Sequence, residues 1–586
     1  MHPSLNISEI SKLPTALRMR ASAAASGSHQ EFAALFNNLR KIDTEQLPFL
    51  LPVFYATLSS ARIPSILATF DASGWLSIKR SVVQGFNSIC GLLHLARFKA
   101  IPPDAFIDLW KAVWPWVLFL HEYDEILAGT EFFTADKRFL SFMRLIRVLH
   151  DDEAANRMIG SPPSLYVFVG RAWRHLLDIK SDIGLVDVSH FLRFLFENEW
   201  NSAAFDDLIV GCGGTMMDLV TTVVLHIQRT LPSPNSPITP HIGSHLLGVH
   251  RIINCAVVPA ELGPPLQNAF LSCGIVTALT TASRALCGST DAGAVLVLKG
   301  FIPALVDHIS AFPSTRLAES LRAGLLDVVF TSQHREAISP SLTGLFEHIL
   351  LPATVYHSAL SQLQASLPQV RSLDVATVLS NARLVALWKN FVNVAENRFR
   401  ILNEYNKGTL TAPRGCDDLE CAKICPKQDL KRCSGCLTTY YCSETCQTND
   451  WKRGGHRETC GRLSMRRKEL YSRNSTRDRS FLRTLLSHER TRRREEIAQK
   501  HLAEMRLSPD EILCTVFDFT IPTPEIIVGP LECISSLFEF EVERAAKSHG
   551  QMELHAMKVL YGNHGMVCVW PFLLHVGTMD TIDGGS

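Results

Sequence analysis

Along residues 1 to about 405, apolar side chains recur at spacings of three and four, the period of one helical face. The pattern predicts helices over Gln30–Ile42, Gln46–Leu58, Ile78–Phe98, Asp104–Leu127, Lys137–His150, Leu165–Ile179 and Val186–Asn198. It continues through Met217–Leu231, His245–Val257, Leu266–Leu286, Ala292–Ile309, Arg316–Ser332, Leu345–Leu367 and Val375–Asn406. The connections are short and rich in Pro and Gly, as at Ile101-Pro-Pro and Gly160-Ser-Pro-Pro. Many short-linked helices without alternating strands imply stacked helical hairpins. No fixed period of about 33 to 47 residues recurs, so the expected fold is mainly α, an irregular armadillo-like helical array over 1–405.

The pattern then changes three times. Residues 406–415 are turn-rich and read as a linker into a cysteine cluster at 416–460. Residues 461–508 hold 14 Lys+Arg against 6 Asp+Glu, a local net of +8, and read as a basic connecting helix. Ser475-Thr-Arg-Asp478 resembles a capping box that opens a helix. Phe481, Leu482, Leu485, Leu486, Ile497 and Leu502 form its apolar stripe, with Arg492-Arg-Arg494 on the exposed side. From 509 to 586, Ile512–Thr520, Ile526–Gly529, Met552–Tyr561 and Met566–Leu574 read as strands, and Glu539–Ser548 as a helix. Together they form a small α+β tail.

Composition narrows the function classes. The chain has 586 residues and a formal net charge of +1. A near-neutral protein does not present its whole surface to nucleic acid or anionic lipid, so such contacts would have to be local. A membrane crossing needs about 20 apolar residues. Ala112–Leu120 ends at His121-Glu122 and Ala294–Val306 is interrupted by Lys299, so no membrane span is expected. The N-terminal segment lacks an apolar signal core, and Glu9 with Leu13–Ala16 reads as a first helix. The expected setting is intracellular, in cytoplasm or nucleus.

Cysteine usage changes the picture most. Of 16 cysteines, eight fall between Cys416 and Cys460; the others are scattered in apolar surroundings and read as small buried hydrophobes. A dense cluster in an intracellular chain indicates metal, because cytosolic thiols stay reduced. The candidate ligands are Cys416, Cys421, Cys425, Cys433, Cys436, Cys442, Cys446, His456 and Cys460. Their spacings give C-x4-C, C-x2-C, C-x3-C and H-x3-C, four pairs able to build two four-coordinate sites. Sulfur and imidazole donors with no open position indicate structural Zn²⁺.

The segment CSGCLTTYYCSETCQTNDWKRGGHRETC closely resembles the MYND zinc finger, with its Tyr-Cys pair, C-x3-C-Gln, Asp-Trp and closing H-x3-C. The resemblance covers about 45 of the 586 residues. It implies cross-bracing: Cys416, Cys421, Cys442 and Cys446 around one zinc, and Cys433, Cys436, His456 and Cys460 around the other. Cys425 makes three cysteines for two opening places. The form Cys-Asp-Asp-Leu-Glu-Cys resembles many fungal members and favours Cys416/Cys421, with Cys421/Cys425 as the alternative. The resemblance further implies a docking site for short Pro-containing peptides, held by Gln447 and Trp451. Elsewhere, Leu17-Arg-Met-Arg-Ala, Val516-Phe-Asp-Phe-Thr and Gly550-Gln-Met-Glu-Leu-His-Ala-Met resemble uncharacterised fungal proteins with a late MYND finger.

The expected function is that of a zinc-binding adaptor without catalysis. The alternative is a nucleic-acid-associated transcriptional regulator using the basic helix. A SET-type lysine methyltransferase is an outsider: Asn563-His-Gly-Met-Val-Cys568 lacks the Pro-Asn continuation, and the region before the finger reads as helical. Gly211-Cys-Gly-Gly214 follows no strand of a nucleotide-binding unit and lacks Lys-Ser/Thr, so phosphate cradling is not expected there.

Overall fold

The computed structural model describes residues 1–586 apart from 124–133, 151–161, 163, 196–201, 232–241, 255–261, 290–291, 332–334, 380, 411–413, 422, 426, 474, 510, 512, 531–537, 549–551, 561–566 and 576–586. The chain divides into two compact units, Met1–Gly274 with Thr290–Val297, and Ile275–Ser289 with Leu298–Ser586. The predicted helix ends at Leu127, Asn198, Val257 and Ser332 fall outside the described residues, as do Cys255 and Cys533.

The first unit is helical throughout its described length. Its longest helix, Trp75–Arg97, packs against His29–Asn37, Leu51–Thr57, Arg62–Ser73 and Ala135–His150. Close helix crossings depend on glycine. A Cβ on Gly211 would lie 2.3 Å from the Val167 carbonyl oxygen, and one on Gly248 would lie 2.4 Å from that of Ser189. The glycine-rich Gly211-Cys-Gly-Gly214 thus serves a helix–helix contact, where Ser202–Cys212 meets Leu165–Asp178. Gly211→Ala should destabilise this unit by about 1–3 kcal/mol through overpacking against backbone. Gly263→Ala, whose Cβ meets nothing within 4 Å, should not. Thermal denaturation of the two variants checks this, and equal midpoints would remove the crossing from the account.

In the second unit, helices run from Ile275–Cys287 to the 26-residue Ala382–Lys407. The periodic reading joined helices that the chain separates. Arg316–Ser332 is Pro313–Arg322 and Leu325–Thr331, broken at Gly324, whose φ of +101° only glycine adopts freely. The predicted Leu266–Leu286 breaks likewise at Gly274, φ +78°. Leu345–Leu367 contains a π-helical turn at Leu345–Leu350 before His357–Ser366. Helices at Arg62–Ser73, Ser202–Cys212 and Arg335–Gly344 were not anticipated.

Ala292–Ala311 corrects the membrane argument. It is long and apolar enough to cross a bilayer, and Lys299 does not disqualify it, since the stretch carries only two charges, Lys299 and Asp307, over 20 residues. Half of the qualifying stretch is buried inside the protein, with Lys299 on the exposed face.

The basic segment is three helices, His456–Arg473, Thr476–Arg492 and Arg494–Leu507, and not one. Ser475 caps the second, its hydroxyl accepting from Asp478 N. Phe481, Leu482, Leu485 and Leu486 are buried, whereas Leu502 is exposed and leaves the predicted stripe. Phe481 packs edge-on against His357 and Tyr405 of the array. The Asp478 carboxylate accepts from both N and Oγ of Ser358, each at 2.9 Å, capping a helix that has no cap of its own.

The tail is a four-stranded sheet ordered β6-β5-β7-β8, with β5 Leu513–Asp518, β6 Glu525–Pro530, β7 Met552–Leu560 and β8 Val567–His575. β5 and β7 run parallel and the other neighbours antiparallel. Pro571 is tolerated because β8 is an edge strand. The basic helices are tied to this sheet by Arg490–Glu553 at 2.9 Å and by Arg483 Nη1, which donates to the Leu573 carbonyl at 2.8 Å.

Candidate metal centre

The finger has little regular structure: two two-stranded ladders, β1 Arg414–Gly415 with β2 Ile424–Cys425, and β3 Lys431–Arg432 with β4 Tyr440–Tyr441. Each ligand pair sits on a local turn. Leu437, with a left-handed φ of +57°, turns the chain after Cys436, and its N–H donates to the Cys433 carbonyl. Ser443 caps the helix Glu444–Lys452 by accepting from Cys446 N, which sets Cys442 before the first turn and Cys446 within it. His456 and Cys460 open the next helix four residues apart, on one face. The opening segment is pinned to β4 by Asp417, whose N–H donates to Tyr440 O and whose carboxylate accepts from Tyr440 N, both at 2.7 Å.

These turns gather the ligands into two quartets. Cys416, Cys421, Cys442 and Cys446 form one, Cys433, Cys436, His456 and Cys460 the other, with the donor atoms of each within 4.8 Å of one another. A tetrahedron with Zn–S near 2.3 Å has S–S edges of about 3.8 Å. Cys421–Cys442, Cys442–Cys446 and Cys433–Cys460 are 3.7, 3.6 and 3.9 Å apart. His456 Nε2 lies 3.3 Å from Cys433 Sγ and 3.7 Å from Cys436 Sγ, as the shorter Zn–N bond requires. The donor sets fit two Zn²⁺ ions in cross-braced order, one held by four thiolates and the other by three thiolates and an imidazole. Cys425 lies on β2 opposite Arg414, outside both quartets.

The electrostatics agree with a cation. Burial opposes ionisation of Cys436, yet hydrogen bonds from His456, Thr438 and Thr439 hold it down to about 5. Burial, with the charges of Cys436 and Cys433, pushes Cys460 up to about 12. Thiolates this close repel unless a cation lies between them. Zn²⁺ supplies that charge and crosslinks a segment whose core is hardly more than Cys416, Cys433, Cys436, Tyr441 and Leu463.

Trp451 is 40% exposed at the end of the helix Glu444–Lys452, its ring edge-on to His456 at a centroid distance of 5.6 Å. Gln447 is half-buried on the same helix, one turn earlier. The residue between the ligands and Trp451 carries a structural role that spacing did not reveal. Asp450 is fully buried, accepts from Tyr441 OH at 2.7 Å, and faces Arg544 Nη1 of the tail helix at 3.5 Å. Burial raises its pKa and Arg544 opposes the rise. The Tyr-Cys and Asp-Trp pairs were visible in the motif, but nothing in the sequence joined them to a residue 94 positions away.

A Cys/His module whose two donor sets each supply four ligands, with no coordination position left open, fits structural and not catalytic zinc. The MYND finger family matches residues 421–460, so the chain carries a MYND-type zinc finger. Ubiquitin carboxyl-terminal hydrolase 19 of Arabidopsis thaliana is 48% identical over 44 residues, which is 8% of this chain and 6% of the hydrolase. The chain therefore spans a small fraction of that relative's length, confined to the finger. No solved structure matches the chain. The MYND finger is a non-catalytic protein-interaction domain, so a zinc-binding role in protein–protein interaction follows for this chain.

Proposed function

We propose that the protein is an adaptor without chemistry of its own, whose finger docks a Pro-containing peptide segment of a partner on Trp451 and Gln447. One observation carries this reading: among side chains packed around two metal sites, the largest aromatic of the finger is left exposed. Its edge is steadied by the zinc-ligating His456. A flat, pre-ordered indole loses little entropy when it stacks on a Pro ring. Gln447, one turn away, can hydrogen-bond the peptide backbone.

Engagement of Arg466, Arg483, Arg490, Arg493 and Lys500 with acceptors inside the protein supports a bridging role for the basic segment over a nucleic-acid one. The hydrolase relative's activity is not carried over from a match limited to a finger.

Trp451→Ala should weaken capture of a Pro-containing partner peptide about thirtyfold, since an aromatic anchor is typically worth about 2 kcal/mol. The zinc count and far-ultraviolet circular dichroism should be unchanged. A pull-down with elemental analysis of the same samples reads both. Zinc release by Trp451→Ala, or unchanged capture, would make the tryptophan a structural residue and end the docking reading.

A further inference from the structure

Within the second unit, the helices Ala382–Lys407 and Thr476–Arg492 and the loop between β5 and β6 line an open cleft of about 450 Å³. That volume falls in the range of about 300–1,000 Å³ for sites that hold small ligands. Asn390, Asn393 and Asn397 contribute a row of carboxamides at helical spacing, and Phe519, Pro522 and Pro524 contribute apolar surface.

Arg398 is the buried cation of the lining, only 6% exposed. Its Nη1 donates to the Thr354 hydroxyl, and its guanidinium lies over the Phe519 ring at 5.6 Å. These contacts fix the guanidinium plane. Nε and Nη2, which share one edge of the fork, have no hydrogen-bond partner among the described residues. Neither is fully enclosed, so both remain accessible from the cleft.

No described acid forms an ion pair with Arg398. Glu489 acts on it at longer range, but the Glu489 carboxylate is bound to Arg492 at 2.7 Å. Burial pushes the Arg398 pKa down to about 10, and Glu489 opposes that shift without cancelling it. Arginine keeps its proton in proteins, so a buried positive charge stands here with one neutral hydrogen bond. Leaving its remaining donors unmet is costly.

Two parallel N–H groups on one guanidinium edge match a carboxylate, which accepts from both. The lining also holds Glu404 and Glu489. Each would repel a doubly charged phosphate about twice as strongly as a carboxylate, so the site favours the single charge. Asn390 and Asn393 are exposed and have no hydrogen-bond partner among the described residues. Each carboxamide offers both donors and an acceptor, suited to the amide groups beside the carboxylate of an acylated amino acid or a peptide.

We propose that this cleft binds a carboxylate on Arg398, brought either by a small amide-bearing acid or by an acidic side chain of a protein partner. The site shares no residue with the Trp451 surface, and the two readings stand or fall separately.

The test is isothermal titration of the zinc-loaded full chain in Tris–chloride buffer. One arm uses sodium N-acetylglycinate. A second uses a capped pentapeptide with a central Glu beside its Gln counterpart, and a third uses sodium phosphate. Saturable binding is expected in the first or second arm, and binding at least about tenfold weaker with phosphate. Binding of N-acetylglycine assigns the site to a free acid, and binding of the Glu peptide alone assigns it to a partner. Arg398→Lys keeps the charge but loses the fork, and should weaken binding about tenfold with helical circular dichroism retained. Asn393→Asp should do the same by adding a negative charge at an exposed position of the lining. Lys389→Gln, exposed on the same helix outside the cleft, changes the net charge equally and should leave binding intact. If Arg398→Lys fails to fold, Asn393→Asp still decides. Absence of saturable binding in both carboxylate arms, or undiminished binding by Asn393→Asp, overturns the proposal. Equal binding of the Glu and Gln peptides, or phosphate binding as tight as the carboxylate, overturns it as well.

Discussion

Freshly purified protein should carry two zincs per chain by elemental analysis, and a strong chelator should unfold residues 416–460 while most helical circular dichroism remains. The finger's buried cluster is three ligand cysteines plus Tyr441 and Leu463, far too little apolar surface to hold a segment of this length. A structural zinc contributes about 10–16 kcal/mol in small finger peptides, so nothing else in the module compensates for its removal. The array has its own core, with residues such as Leu360, Phe391 and Leu402 buried away from any metal ligand, and keeps its helices. Limited proteolysis should then cut within 416–460 and leave the array intact.

Single substitutions sharpen the test, because three cysteines compete for two places in the opening pair. The family match begins at Cys421, whereas the all-cysteine quartet reaches back to Cys416, which is buried and accepts a hydrogen bond from Cys442 N. Cys416→Ser should therefore lower the zinc count and Cys425→Ser should leave it at two. The reverse outcome would move the opening pair to Cys421 and Cys425, and a count below two in the unmodified protein would undo the cross-brace.

The cysteine cluster was legible because ligand spacing is a local property: a pair two to four residues apart meets one ion whatever surrounds it. The strands of the tail were legible for a similar reason, since β-branched and aromatic runs bounded by turns need little context. Helix counts were less legible. An apolar period does not register a reversal at Gly274 or Gly324, so adjoining helices fused into one. The basic segment misled in another way. Its charge suggested a solvated rod, but charge alone does not say that Arg490 meets Glu553 or that Asp478 caps Ser358. These partners lie 63 and 120 positions apart in sequence.

Asp450→Ala should cost about 3–5 kcal/mol, the range for removing one partner of a buried ion pair. The carboxylate is fully buried, and its loss strands two groups at once: the Tyr441 hydroxyl and the Arg544 guanidinium, itself only 5% exposed at the side chain. Tyr441 belongs to the cluster around the zinc ligands, and Arg544 to the tail helix, so the damage should register in the finger. Because a chain of two units does not unfold in one step, the readout is the temperature at which a chromogenic chelator detects released zinc. Asp450→Asn, which keeps an acceptor for Tyr441, should lower that temperature less than Asp450→Ala. Arg544→Met should lower it too, since it leaves Asp450 charged and buried with only the hydroxyl. The double variant Asp450→Ala/Arg544→Met should lose much less than the sum, because no unpaired charge remains. Additive losses would mean that the two residues act separately, and that Asp450 serves the finger through Tyr441 alone.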